Sequence, residues 1–382
     1  RIEIGIAPGE LIVGNRTTGV RAGVIFPESG LSWVDREIES LPTRPQDPFQ
    51  VRPEDVEAFK SEIFPFWQGK TLEDVLDERI GDEMRAIGKV AKINQTDHAQ
   101  GHICPDTARW LQYGPSGLLK QARQAQKQHP ENHDFYEGLA IALEGASQFM
   151  LRYATLARVM AVTSESSAEL LEIARVCEKL AAQPPETYRE AVQASWFLYV
   201  ILQMESNASS FSPGRMDQYL YPFYARDIER GTLSLEEALE ITECLFLKFN
   251  QIVYLRSSSS AKYFAGFPIG FNVAIGGQDE RGGSAENELT FLFLRAQEHL
   301  LLPQPNLSAR VFEGSSEHFL TRCAQVIGKG SGMPQLFNDE AVIPALKGKG
   351  ISDEDARNYA IVGCVELTTM GNNLGWSDAA MF

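Results

Sequence analysis

Apolar spacing divides the chain into a loop-rich head, a helical middle and a tail where short strands alternate with helices. The first forty residues carry only brief apolar runs at 11–13 and 23–26, and 42–53 is a polar, proline-rich connector. Beyond it, apolar positions recur every three or four residues. That spacing predicts helices over 56–64, 71–89, 134–162, 167–182, 186–204, 286–301 and 317–327. Ser234 followed by Glu237 is a capping box that opens a further helix to about residue 253. Strand-like patterns fall late and are short, at 271–275, 307–311 and 359–367. Strands alternating with helices are the α/β pattern, and helix outweighs strand. There is no internal repeat or low-complexity tract, so the expectation is one helix-rich α/β domain over 1–382.

The bulk numbers narrow the classes of partner. A length of 382 residues allows one large domain or two ordinary ones, with 43% hydrophobic and 23% charged residues. A net charge of −16 argues against binding a nucleic acid backbone or an anionic membrane, either of which needs a basic face. No apolar stretch reaches membrane-spanning length without polar interruption, and Arg1-Ile-Glu-Ile-Gly5 is not a signal peptide. A cytoplasmic location is expected. Both ends of the sequence enter in mid-pattern, which suggests a fragment of a longer protein.

The five cysteines are Cys104, Cys177, Cys244, Cys323 and Cys364, widely spaced and without a CxxC pair. A disulfide framework or structural zinc site is not expected from that spacing. Cys177, Cys244 and Cys323 sit in helical apolar patterns and read as small buried hydrophobes. The stretch 94–106 gathers His98, His102 and Cys104 with glutamines and aspartates. Three readings stand for it: a metal site, a capped loop leading into a helix at Pro105-Asp106, and the wall of a polar substrate pocket. In 211–219, either Arg215 and Asp217 form a tether at a helix start, or Ser212 or the loop backbone faces substrate. The paired glycines Gly276-Gly277 end a strand in a tight turn, and 332–339 reads as a loop feeding a helix.

Cys364 is set apart by its neighbour. Extended backbone would place Cys364 and Glu366 on one face, a sulfur beside a base. A carboxylate is a poor activator for a thiolate nucleophile, because its charge raises the thiol pKa. A neutral thiol beside a carboxylate suits another use. The S–H exchanges a hydrogen atom while the carboxylate takes a proton from substrate.

At this point the residues resemble the glycyl radical enzymes, whose founding member is pyruvate formate-lyase. The resemblance rests on blocks in family order: Glu10-Leu-Ile-Val-Gly-Asn-Arg16, Pro65-Phe-Trp-Gln-Gly-Lys70, 211–221, 271–277, 307–311, Phe337-Asn-Asp339 and Gly363-Cys-Val-Glu366. It covers nearly the whole chain. It implies a ten-stranded α/β barrel, incomplete here, with the catalytic cysteine on a central loop. It also implies a radical on a backbone glycine outside this chain, and no bound metal. The radical would be installed by an S-adenosylmethionine-dependent iron–sulfur activase, and the enzyme would be a homodimer acting on a small molecule. The C-terminal glycine radical domain is expected to be absent, and the fragment to be inactive alone.

Pyruvate formate-lyase uses two adjacent cysteines, whereas Gly363 precedes Cys364 here. Gly-Cys-Val-Glu resembles the eliminase branch instead. For a 1,2-diol dehydratase the resemblance implies Cys364 as hydrogen abstractor and Glu366 as base. Ser212, Asp378 and His98, with His102 as the other candidate histidine, would hold the two hydroxyls, and Phe271 would pack against substrate. Leu367 replaces the proline usual in the diol and choline enzymes, and the 368–374 loop differs from the common diol-dehydratase form. A C–S lyase acting on a hydroxysulfonate such as isethionate, another activity of the formate acetyltransferase family, and a non-catalytic partner-binding fragment are the alternatives.

Overall fold

The computed structural model describes residues 3–91, 101–206, 209–266 and 269–372. Its helical half is a bundle of α1 (Thr107–Gln128), α2 (His133–Ala161), α3 (Ser167–Ala182) and α4 (Tyr188–Glu205). Helix α2 buries Ala146, Phe149, Met150, Tyr153, Ala154 and Ala157 at three- and four-residue spacing. The alanines let α3 approach with Ile173, Ala174, Cys177 and Leu180. Helix α4 is buried almost all round and opens with a reciprocal capping box between Thr187 and Glu190. The expected Ser234–Glu237 capping box opens α5 (Leu235–Gln251).

Two helical stretches differ from the periodicity reading. The segment 71–89 is two helices, Leu72–Arg79 and Asp82–Gly88, because Gly81 is extended and caps the second. The start of helix α1 matches the reading of a helix opening at Pro105-Asp106, with the Asp106 side chain accepting the Arg109 N–H, but its extent was not anticipated. Non-helical backbone at Gly114, next to Pro115, breaks it, and beyond Pro115 it buries only Ala122, so no long apolar stripe marks it. Among the described residues no helix is long and apolar enough to cross a membrane.

The other half is built on a parallel sheet of β1 (Asn272–Gly276), β2 (Asn306–Val311) and β3 (Gln335–Asn338), in that order. Helix α6 (Glu288–Leu300) links β1 to β2, and α7 (Glu317–Val326) links β2 to β3. Strand β3 lies in the segment read from sequence as a loop. Its burial alternates, but the exposed positions are Leu336 and Asn338, so Gln-Leu-Phe-Asn shows no alternation of polar and apolar residues. It leads directly into α8 (Asp339–Gly348). Isolated parallel bridges join Gly214 to Val273 and Ile103 to Phe211. The parallel direction therefore continues through five segments.

Register sorts the side chains of this arc. Val273, Ile275, Leu307 and Ala309 enter the main hydrophobic core. The alternate residues form layers on the other face: Asn272 with Asn306, Ala274 with Ser308 and Gln335, Gly276 with Arg310 and Phe337. A hairpin of β4 (Tyr359–Val362) and β5 (Glu366–Thr369) lies on that face. Tyr359 and Ile361 cluster with Ala274, whereas Ala360 and Val362 meet Cys104 and Met370.

The hairpin is anchored at its base. Arg310 makes a bidentate pair with Asp339, 2.9 Å at both contacts, with both side chains fully enclosed. Tyr359 donates its hydroxyl to Asp339 at 2.7 Å, and its carbonyl accepts from Arg310 at 3.0 Å. With Tyr359 beside Arg310 and Gly363 beside Asn272 and Asn306, β4 runs opposite to the sheet. Its tip lies at the N-terminal ends of the parallel strands.

Candidate active site

Cys364 is not within a continuous strand. The segment read as one strand over 359–367 is the hairpin, with Gly363, Cys364 and Val365 as its turn. Gly363 adopts φ 59°, a left-handed conformation that suits glycine. The pairing of sulfur and carboxylate therefore does not come from strand pleating. Glu366 folds back over the turn, where its Oε2 accepts the N–H groups of Cys364 and Val365, both at 3.0 Å.

Side chains from three segments hold the same turn from below. The hydroxyl of Ser212 accepts the N–H of Gly363 at 3.2 Å. The carbonyl of Gly363 accepts from Asn272 at 3.2 Å and from Asn306 at 3.1 Å.

His102 completes the group. Its Nε2 lies 3.8 Å from Glu366 Oε2, longer than a close hydrogen bond. His102 has left-handed backbone, φ 54°, and its N–H donates to the Ser209 carbonyl at 3.0 Å. A non-glycine residue in that region is uncommon and is held here by its surroundings. The His102 imidazole, aided by the turn N–H groups, holds the Glu366 carboxyl down at about 2. Although the residue is exposed overall, partial burial of the sulfur first, and the Glu366 charge second, push the Cys364 thiol up. At neutral pH the site therefore presents an ionised carboxylate beside a protonated S–H.

The other anticipated residues divide. Ser212 is fully buried, and besides accepting from Gly363 it accepts from the N–H of Asn272 and donates to the carbonyl of Gly270, both at 3.3 Å. Its observed place is under the turn. Phe271 is fully enclosed in the core, its ring 4.9 Å from Phe249 and 6.2 Å from Trp196. That position gives no support to contact with substrate. His98 and Asp378 lie outside the described residues. Arg215 and Asp217 are not tethered to each other by a hydrogen bond. Arg215 donates to the carbonyls of Arg357, Gly276 and Gln278, and Asp217 accepts from Gly276 N–H and the Thr290 hydroxyl. Of the three residues weighed for a metal, His102 faces Glu366 while Cys104 packs with Ala360, Val362 and Met370.

Asn272 and Asn306 were missed by sequence reading. The available signal was a polar amide at the head of each of two buried strands, in Phe271-Asn-Val-Ala and Pro305-Asn-Leu-Ser. The Arg310–Asp339–Tyr359 anchor was missed because its members lie far apart in the chain and meet only through the hairpin.

A family profile for pyruvate formate lyase-like proteins matches residues 1–382. The chain belongs to the pyruvate formate-lyase-like family of glycyl radical enzymes. It is 38% identical to a probable dehydratase, YbiW, of Escherichia coli, over 99% of this chain and 48% of the relative. It is 34% identical to the (2S)-3-sulfopropanediol dehydratase of Klebsiella oxytoca, over 97% of this chain and 47% of the relative. The glycerol-bound B12-independent glycerol dehydratase of Clostridium butyricum superposes with a TM-score of 0.93 at 34% identity, covering 97% of this chain and 48% of that one. The chain thus spans about half the length of these relatives. The parallel arc is part of the barrel of the pyruvate formate-lyase type, incomplete in this sequence. Glycyl radical enzymes use a protein-based glycyl radical. In this chain Cys364 carries a protonated thiol on a turn held by its backbone.

Proposed function

We propose that the full protein containing this chain is a glycyl radical lyase that eliminates water from a small 1,2-diol such as glycerol or 1,2-propanediol. One observation carries the reading. A protonated thiol on the three-residue turn is capped by the ionised carboxylate of the residue that follows it, with an imidazole 3.8 Å from the carboxylate.

The glycyl radical, outside this chain, supplies removal of the hydrogen atom from the Cys364 S–H. Cys364 then takes a hydrogen atom from the hydroxyl-bearing carbon, so that an S–H bond forms as the C–H bond breaks. Glu366 accepts the proton of that hydroxyl through Oε1, since Oε2 serves the turn. The neighbouring hydroxyl leaves as water, with His102 passing it a proton. Cys364 gives its hydrogen atom to the neighbouring carbon that lost the hydroxyl, which regenerates the thiyl radical and yields the aldehyde, and the proton held by Glu366 passes back to His102. The atoms balance as diol to aldehyde plus water.

Ser212 supports the turn that carries both groups, and His98, Asp378 and Phe271 remain assigned to the substrate by the resemblance alone. The protein would be activated by an S-adenosylmethionine-dependent iron–sulfur activase, act as a homodimer and work in the cytoplasm.

The direct test is anaerobic activation of the full-length protein, followed by incubation with glycerol, 1,2-propanediol, isethionate and dihydroxypropanesulfonate. Aldehyde from either diol is the expected result. Sulfite from a hydroxysulfonate, with neither diol converted, would reject the dehydratase reading in favour of C–S cleavage.

A further inference from the structure

Both polar groups of the residue ahead of Cys364 are held by side chains from three segments. Ser212 takes the Gly363 N–H, and Asn272 and Asn306 together fill both lone-pair directions of its carbonyl. Glu366 takes the next two N–H groups. Every backbone N–H from Gly363 to Val365 thus has an identified acceptor. Side-chain packing does little of this work at the tip, because Cys364 is exposed and Val365 is 57% exposed.

We propose that Asn306 and Asn272 are positioning residues for Cys364: they fix the plane of the Gly363 peptide and hence the direction in which the thiol leaves the turn. This rests on the reading of Cys364 as the hydrogen-exchanging group. Only the rotations about the Cys364 backbone and its χ1 separate that plane from the sulfur.

The polarity of Asn306 is dictated by a relay. The N–H of Phe271 donates to Gln304 Oε1 at 3.0 Å, which leaves Gln304 Nε2 to donate to Asn306 Oδ1 at 3.2 Å. The nitrogen of Asn306 is then the end that meets the Gly363 carbonyl. Donor and acceptor parity, rather than shape, sets this amide. Asn272 is fully buried, and its nitrogen provides the second donor.

Asn306→Asp tests the claim in the full-length protein. It keeps the volume and the acceptor for Gln304 but sets an oxygen against the Gly363 carbonyl. Asn306→Ala simply removes the donor, and Asn272→Ser serves if neither Asn306 variant folds. The first readout needs no substrate: the rate at which iodoacetamide alkylates Cys364 in unactivated protein, followed by peptide mass spectrometry. A released turn should alkylate about fivefold faster or more, at an unchanged Tm.

The second readout is turnover after activation. For a misdirected thiol, kcat should fall by about 100-fold in Asn306→Asp and about 10-fold in Asn306→Ala, with KM and glycyl radical content unchanged. Parental alkylation and parental kcat in a folded variant would overturn the proposal. So would a fall in kcat that only tracks lost Tm or lost radical content, which would indicate plain structural support. If the parent converts no diol, the dehydratase reading fails on its own, and the alkylation rates still decide the role of the asparagines.

Discussion

A β-carbon on Gly363 would lie 2.5 Å from Nε2 of His102 and 3.1 Å from the Glu366 carboxylate. The absence of a side chain at 363 is therefore what lets the imidazole reach the base. The left-handed backbone there adds a second requirement for glycine. The geometry gives a physical reason for the missing second cysteine: a Gly363→Cys side chain would displace His102. Gly363→Ala should cost about 1–2 kcal/mol from backbone conformation alone, read from urea unfolding. Turnover should drop by about 100-fold as His102 is pushed from Glu366. Gly363→Cys should gain no formate production from pyruvate. Parental activity in Gly363→Ala would mean that the His102–Glu366 contact is dispensable.

His102 sets the charge state of the base, and this yields a pH prediction. The pKa of Glu366 falls from 4.5 to about 2, with His102 the largest lowering cause and burial opposing it. A depressed carboxyl contributes stability that is fully present above its ordinary value and is lost as pH falls through the depressed one. In the parent, kcat/KM should show no acid limb from Glu366 between pH 4 and 6. In His102→Gln the main lowering cause is gone while burial stays. The carboxyl then rises toward its ordinary value, still held partly down by the N–H groups of the turn, and the acid limb of activity should move up in pH. The measurement is kcat/KM against pH for both proteins. Superimposable acid limbs would show that His102 does not govern the base.

Legibility in the sequence followed the range of the interaction. Helices such as α2 and α5 were readable because their apolar spacing and caps are local. The motif Gly363-Cys-Val-Glu366 located the chemistry but misled about its geometry. Four apolar residues before it resemble one continuous strand, whereas Gly363 turns the chain and Glu366 pairs back with Val362. His102 and His98 were not separable by spacing, since only the fold brings Ile103 beside Phe211 and so His102 to the turn. Phe271 showed the reverse problem. An aromatic at a strand head near functional residues looks like a pocket wall, yet its ring completes a core of Trp196, Tyr199 and Phe249.

The Cys364–Glu366 coupling can be read on the thiol itself. Burial and the Glu366 charge both hold the sulfur protonated. Glu366→Gln retains an oxygen to accept the turn N–H groups but removes the charge. The thiol pKa should fall partway toward its ordinary value, because burial remains. Alkylation of Cys364 at pH 8 should quicken by about two- to tenfold although turnover is abolished. The check is the pH profile of Cys364 alkylation in both proteins. An unchanged midpoint would show that the carboxylate and thiol are electrically independent.

The base of the hairpin makes the remaining prediction. Arg310 and Asp339 are both fully enclosed, and the guanidinium also lies 3.9 Å over the Tyr359 ring. Removing one member leaves the other charge in the interior without its partner. Asp339→Ala should therefore cost about 3–5 kcal/mol. It also removes the acceptors of Tyr359 O–H and Gln278 N–H. Replacing both, Arg310→Met with Asp339→Ala, removes the charge problem, so the double variant should be more stable than Asp339→Ala alone. Denaturant unfolding of the four proteins gives the coupling directly. The hairpin base is some distance along β4 from the turn, so the double variant tests a further point. If the anchor only supports the hairpin, Cys364 alkylation should return toward the parental rate as stability returns. If stability returns and the alkylation rate stays high, the ion pair also fixes the register of β4 against the sheet, beyond its contribution to folding.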